Sequence, residues 1–413
     1  MSKPLSVLQA RARVLASAAV VPSRERVPLE LAHGRFLAEP IRTTTPWPAT
    51  DRAAMDGFAL SAGAAGLPAG TTLPVVGESL AGRPYGVTLP RNATIRIMTG
   101  AVVPAGADAV VPVEQTSGFE GNAMTLQAAV RPGQHVRKMG SEMQAGQQVL
   151  AAGTRLWASE IGALAVLGHA QVPVRTPLRV AIVATGDEVV AVDREPLPHQ
   201  VRESNSWALA AQVVECGATP LRLGIAPDEP AALRSMLQRG LQQADVLVTI
   251  GGISKGTHDL VFGTLAELGV RTEFHGIDLK PGKPTFFGTR TTGPGARFVF
   301  GLPGNPASSF TVFDLLVRPM LLALAGAEVN ERPATAPVGG APWLTNARLQ
   351  AIPARMRAAA TGELVTTLVP PSPSGDPFGL LGADHYALIE PQQRAGETTR
   401  VAVLGGSAGI VLP

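Results

Sequence analysis

The segment that most constrains this chain runs from Ala244 to Lys283. It reads A-D-V-L-V-T-I-G-G-I-S-K-G-T-H-D-L and closes on L-K-P-G-K-P. Val246 to Ile250 is a short, β-branched apolar run, the signature of a strand buried on both faces. Gly251-Gly252 follows at once, where a Cβ would hold the backbone away from a ligand or bar a positive φ. Asp259 then opens a helical pattern through Leu260, Val261, Leu265 and Leu268. A strand, a glycine turn and a helix N-terminus together make an anion site, because the first N–H groups of a helix lack backbone partners. Lys280 and Lys283 return two cations at the next strand end. The combination points to an oxyanion or phosphate ligand, with Asp259 available to a metal ion. The same Gly-Gly pair also suits a plain strand-to-helix turn, and these residues alone leave both readings open. Neither G-x-x-x-x-G-K-[ST] nor G-x-G-x-x-G is present, so the turn is not a P-loop or a dinucleotide fingerprint.

Around this segment, residues 177–327 alternate strand and helix patterns. Val180 to Ala184 leads into T-G-D-E-V, and Asn205 opens a helix through Val214. Thr219 to Ile225 precedes Pro227-Asp228 and a helix from Pro230 to Gln243. Phe298 to Leu302 leads into P-G-N-P-A-S and a helix from about Ala307 to Leu324. Such alternation predicts a parallel, doubly wound α/β sheet, whose ligands bind at the carboxyl ends of the strands. Gly186, Glu188, Asp228, Gly251, Gly252, Asp259 and Gly304 fall there. Three acids meeting at one sheet edge raise one another's pKa unless a cation offsets them, and Mg²⁺ with its preference for oxygen ligands is the simplest offset.

The rest of the chain reads as flanking domains. Leu5 to Val20 carries helical spacing, and an amphipathic helix describes it better than a signal peptide despite the apolar Val14 to Val21. Leu29 to Leu37 reads as a second helix. Residues 46–140 change to short β segments with frequent turns, which predicts a β-rich domain. Within it Asp51, Asp56 and Thr99 sit in loops, and two loop Asp residues are more often solvated or capping than functional. Residues 1–45 and 141–176 read as a discontinuous linking domain, with Ser159 to Leu167 helical. Residues 328–413 read as a separately folded closing β domain with strands at Leu349 to Met356, Leu364 to Val369 and Val401 to Leu404. A net charge of +3 without a long basic cluster gives no nucleic-acid footprint. The single Cys216 forms no internal disulfide and suits a reducing cytoplasm. No apolar run reaches the roughly 20 residues that span a bilayer, so no membrane is expected.

Six motifs in order, A-A-M-D-G-F-A, R-I-M-T-G-A, A-T-G-D-E-V, G-G-I-S-K-G-T-H-D, K-P-G-K-P and G-L-P-G-N-P-A-S, resemble those of the molybdopterin molybdenumtransferases, the MoeA/gephyrin family. Each is weak alone; six in order over essentially the whole chain are specific. The resemblance implies an elongated four-domain cytoplasmic homodimer, with its site between the α/β domain of one subunit and the β domain of the other. It implies an Mg²⁺-dependent enzyme of molybdenum cofactor biosynthesis that inserts molybdate into adenylylated molybdopterin and releases AMP. Carried onto this sequence, it implies Asp56 and Thr99-Gly100 from the β domain, Glu142 in the acidic segment, and Glu188, Asp228 and Asp259 as the metal-associated acids. Gly186, Gly251, Gly252, Ser254, Lys255, Gly304, Asn305 and Ser374 would contact substrate. Lys280 and Lys283, with Pro284, fall where the family holds molybdate. The molybdopterin adenylyltransferase and cofactor-accepting enzymes are the implied partners.

The departures matter. The family usually shows G-G-V-S-V-G-[DE]-x-D, and here Lys255 replaces a small apolar residue and Thr257 an acid. Lys255 is equally a solvated turn residue or a phosphate contact. The acidic segment reads G-S-E rather than G-E-D. Ala351-Ile352-Pro353 stands where an aromatic-x-Arg element is expected, so an arginine is missing and Arg355 is the candidate replacement. A diverged paralogue that binds cofactor precursor or a protein partner without turnover is the alternative.

Overall fold

In the computed structural model the described residues are 4–21, 23–253, 260–291, 295, 297–329, 334–339, 346–358, 362–369, 373–391, 393 and 398–403. The chain divides into two compact units, one formed by residues 40–151 and the other by the segments on either side.

The 40–151 unit is built on a five-stranded sheet in the order Ala109–Pro112, Gly57–Leu60, Thr94–Ile97, Thr72–Ser79, Ala123–Thr125. Its central strands are buried on both faces. Ala59, Ile95, Ile97 and Val110 pack on one side, and Phe58, Leu60, Ala109 and Val111 on the other. This is the period of two that a strand imposes on its side chains.

The larger unit centres on a six-stranded sheet in the order Thr219–Ala226, Arg179–Thr185, Val246–Ile250, Phe298–Leu302, Phe286–Thr289, Arg271–His275. The first four strands are parallel, whereas the last two run antiparallel to their neighbours. The sheet is therefore mixed, not wholly parallel. The connection through residues 290–297 is too short for the crossover helix that a parallel pair needs, so the chain turns back as a hairpin. Helices Asn205–Glu215 and Pro306–Val312 bury Leu209, Val213 and Val312 in one core layer, and Pro230–Gln243 and Leu260–Glu267 bury Leu233, Leu237 and Leu265 in the other. The first helix, Val7–Ser17, starts with a Ser6/Gln9 capping box and adds Val7, Ala10 and Val14 to the first layer.

Leu29 to Leu37 is not a helix. Only Leu29–Leu31 forms a short 3₁₀ turn, and Phe36 and Leu37 are extended. Leu37 N–H bonds the Thr154 carbonyl at 2.9 Å and Phe36 carbonyl accepts from Arg175 N–H at 2.8 Å, so tertiary pairing overrides a weak helical pattern.

The C-terminal strands close on themselves in the order Leu349–Ala358, Leu364–Leu368, Ala334–Gly339, Thr398–Val403, His385–Ile389 and back to Leu349–Ala358. Closure removes free edges. This barrel is not separately folded. Leu279–Lys280 of the α/β region pairs with its first strand, and Ala351, Tyr386 and Leu388 belong to the same core cluster as Val248, Phe300 and Leu316.

One helical stretch, Pro306–Leu324, is long and apolar enough to cross a membrane by length and composition, contrary to the sequence expectation, but 72% of it is buried inside the fold. It is a core helix carrying a buried ion cluster. Arg318 lies 2.8 Å from both Asp314 and Glu215. Burial is the main influence on Asp314 and pushes its carboxyl up to about 6, against the opposing pull of Arg318.

Because the folded state binds this proton more tightly than the unfolded chain, Asp314's contribution to stability is greatest at low pH and declines as pH rises from about 4 to about 6. Arg318→Met should cost about 3–5 kcal/mol by leaving the Asp314 carboxylate buried and unpaired. Denaturant titrations should show a larger deficit at pH 8 than at pH 5, because Asp314 must then ionise without its cation.

Candidate active site

The strands Arg179–Thr185, Val246–Ile250 and Phe298–Leu302 end level, with Ala184 beside Ile250 and Ile250 beside Leu302. Their following turns are tied together. Thr185 Oγ1 donates to Ile250 carbonyl at 3.0 Å, and Gly251 N–H donates to Leu302 carbonyl at 2.9 Å. Gly251 and Gly252 adopt φ of +83° and +61°. A Cβ at Gly251 would stand 2.8 Å from Thr185 Oγ1, and one at Gly252 would stand 2.5 Å from Val261 Cγ2. Conformation and space both require glycine here. The third turn closes the group, since Gly304 lies against Gly251 and its carbonyl accepts from Asn205 Nδ2 at 2.6 Å. The sequence places Asn205 only at the start of a helix, with nothing local to link it to Gly304.

Acids collect at the same strand ends. After Thr185 the chain bends at Gly186, where a Cβ would meet the Glu188 carboxylate at 2.6 Å. Asp228 N–H donates to Asp187 Oδ1 at 3.1 Å. Loss of solvent, then the charges of Asp187 and Glu188, hold the Asp228 carboxyl above the usual range. Asp187 is thus a member of the group that the sequence reading passed over, although it stands next to Glu188 in T-G-D-E-V. Among the described residues no three His, Cys, Asp or Glu side chains stand close enough to hold a metal as they are, yet these are acidic oxygens under mutual repulsion, the donor chemistry that suits a hard divalent cation. Ser254, Lys255, Thr257 and Asp259 lie outside the described residues.

The K-P-G-K-P turn is held by its main chain. Lys283 carbonyl accepts from Ile277 N–H at 3.0 Å and Thr285 N–H at 2.9 Å. Thr285 Oγ1 donates to Gly282 carbonyl at 2.7 Å. Lys280 and Lys283 are exposed, Pro284 is half-buried, and neither lysine ion-pairs with any described residue. Ser374 and Asn305 meet, Asn305 Nδ2 lying 3.0 Å from Ser374 Oγ, while Ala307 N–H donates to Ser374 carbonyl at 3.2 Å. Arg355, the candidate replacement for the missing arginine, is engaged at one end of its guanidinium. Its Nη2 donates to Leu381 carbonyl at 3.1 Å and its guanidinium fills the space beside Gly382.

The 40–151 unit presents its own cluster. Asp56 Oδ1 accepts from both the N–H and the Oγ1 of Thr99, each at 2.7 Å. Those bonds, the backbone one first, hold the Asp56 carboxyl below its ordinary value. Gly100 N–H donates to Ala53 carbonyl at 2.8 Å, so the Thr99-Gly100 turn is fastened to the Asp56 loop. Glu142 ion-pairs with Arg137. Asp51 is structural, accepting from Lys138 Nζ and Met139 N–H at 2.8 Å.

Thr99→Val keeps the backbone bond to Asp56 and removes the hydroxyl, so the Asp56 pKa should rise toward its ordinary value in a carboxyl-carbon NMR titration. An unmoved pKa would assign the effect to the N–H alone. Gly252→Ala forces an L side chain into positive φ against Val261, and chemical denaturation should show a loss of about 1–3 kcal/mol.

Residues 5–168 match the MoeA N-terminal region (domain I and II), and residues 181–323 match the probable molybdopterin binding domain. The chain is 39% identical over 305 residues to the molybdopterin molybdenumtransferase of Nostoc sp., covering 73% of this chain and 70% of that protein. Its identity to the Haemophilus influenzae enzyme of the same name is 33% over 329 residues, covering 80% of each. Among solved structures, the molybdopterin biosynthesis MoeA protein from Pyrococcus horikosii is 30% identical with a TM-score of 0.78, covering 98% of this chain and 100% of that one. With its glycine turns, acids and lysines carried on a fold shared over this extent, the chain belongs to the molybdopterin molybdenumtransferase family of enzymes.

Proposed function

We propose that this enzyme acts in molybdenum cofactor biosynthesis, inserting molybdate into adenylylated molybdopterin with release of AMP and with the help of Mg²⁺. The observation that carries the reading is the crowding of Asp187, Glu188 and Asp228 beside the Gly251-Gly252 turn. Acids so placed favour a cation in a phosphate-binding site over a bare anion pocket. Glu188 and Asp228, with Asp259, are the residues to hold Mg²⁺, which supplies charge neutralisation at the phosphoanhydride when bound. The chain's own groups do the rest. Gly251 and Gly252 let the backbone approach the substrate, and Gly186 gives Glu188 room to fold back. Lys280 and Lys283 offer ammonium groups to the molybdate, and Asn305 and Ser374 define the neighbouring polar surface. Asp56, held in place by the N–H and hydroxyl of Thr99, contributes a fixed acceptor, with Glu142 as the second acid of that unit. Ser254 and Lys255 are proposed as further substrate contacts. The reading also implies a cytoplasmic homodimer that receives its substrate from the molybdopterin adenylyltransferase and passes product to cofactor-accepting enzymes.

A second reading has one observation behind it. Pro353 stands in place of the expected arginine and Arg355 is engaged at Leu381, which suits a paralogue that binds precursor or partner without turnover. Molybdate- and Mg²⁺-dependent AMP release separates the two. The parent should release AMP; Asp228→Asn and Asp259→Ala should each lower kcat about 100-fold, the scale of losing one preorganised charge. Lys283→Ala should raise the KM for molybdate instead. A parent that binds adenylylated molybdopterin but releases no AMP would establish the binding reading.

A further inference from the structure

The two lysines of the K-P-G-K-P turn are presented by different supports. Lys283 is fixed within the loop that joins Arg271–His275 to Phe286–Thr289, through the two N–H groups on its carbonyl. Lys280 is fixed from the C-terminal barrel. Leu279–Lys280 pairs in parallel with the start of Leu349–Ala358, Leu279 beside Leu349 and Lys280 beside Gln350. One residue earlier, Arg348 Nη1 donates to Leu279 carbonyl at 3.1 Å. The backbone N–H of Arg348 is itself anchored, 3.2 Å from Asn346 Oδ1. A guanidinium on a carbonyl is a charge-assisted bond, stronger than the neutral bonds beside it.

The charges at this join are unbalanced. Arg348, Lys280 and Lys283 make no ion pair with any described residue, and Asp278, the acid next along the chain, pairs with none of them. Exposed cations without an ion-paired partner favour an anionic ligand. The barrel strand that lacks an arginine at Pro353 carries one at its first turn.

We propose that Arg348 is a positioning residue for the molybdate-binding lysines. By clamping Leu279 carbonyl it sets the direction of the Leu279–Lys280 strand end and hence where the Lys280 ammonium is held, so it governs oxyanion affinity and not the chemical step. The inference rests on the proposed function, in which this turn receives molybdate.

Calorimetric titration of the full-length protein with molybdate, alongside steady-state AMP release and thermal melts, tests it. Arg348→Ala should weaken molybdate binding about tenfold, the worth of one charged hydrogen bond, and raise the KM for molybdate with kcat held within about twofold. Arg348→Gln retains an N–H for Leu279 carbonyl without the charge and should keep most of the affinity. If Arg348→Gln is as weak as Arg348→Ala, the charge acts directly and positioning is refuted. If Arg348→Ala binds molybdate normally but melts lower, the residue is structural only and the proposal falls. Lys283→Ala guards the underlying reading: unchanged molybdate affinity there removes the oxyanion site from this turn altogether, whereas a loss confined to Lys283→Ala overturns only the role of Arg348.

Discussion

The alignment of three parallel strand ends is the constraint on which the rest of the site depends. Ala184, Ile250 and Leu302 are register partners, and bonds from Thr185 to Ile250 and from Gly251 to Leu302 tie the three strand ends together. Parallel strands bring all their carboxyl ends to one edge, so residues far apart in the chain arrive together without any local signal linking them. Glu188 follows the first strand and the Gly251-Gly252 turn the second. Gly304 and Asn305 follow the third. Asp228 arrives after the neighbouring Thr219–Ala226 strand. The crowding of acids is thus a product of topology, and its cost in repulsion is the observation behind the proposed cation.

A second dependence joins this edge to the C-terminal barrel. Tyr386 and Leu388 sit in the same core as the helix Pro306–Leu324, whose buried Asp314 and Arg318 form a charged centre in an otherwise apolar stretch, with half-buried Glu215 of the helix Asn205–Glu215 as a further partner of Arg318. Along the same strand His385, Ala387 and Ile389 alternate with them; Ala387 and Ile389 pack with Ala354 in the barrel's own small cluster. One strand therefore serves two cores. That sharing fixes the Ser374 turn against Asn305 and brings Arg348 to Leu279, contacts that an independently tumbling domain could not maintain.

Much of this was written in local pattern. The apolar run Val246–Ile250, the helix Pro230–Gln243 and the strand Phe298–Leu302 stand where period and punctuation put them, because burial on both faces and proline at a helix start are near-neighbour effects. The Asp56 loop and the T-G turn were legible as loops, but only the structure shows Thr99 bonded to Asp56 at 2.7 Å.

What the chain order did not contain was direction and partnership. It did not show that Arg271–His275 and Phe286–Thr289 run antiparallel, that Phe36 and Leu37 leave a helical pattern to pair with strands, or that Arg355 reaches the turn at Leu381. The amphipathic spacing, the glycine turns and the acids and lysines that follow them were determined by the sequence itself, since side-chain chemistry and backbone freedom are properties of each residue and its neighbours. Which of those groups face one another, and which arginine is left to hold the lysine turn, was decided only by tertiary structure, because hydrogen bonds and charge repulsion depend on distances between residues that the linear order leaves tens of positions apart.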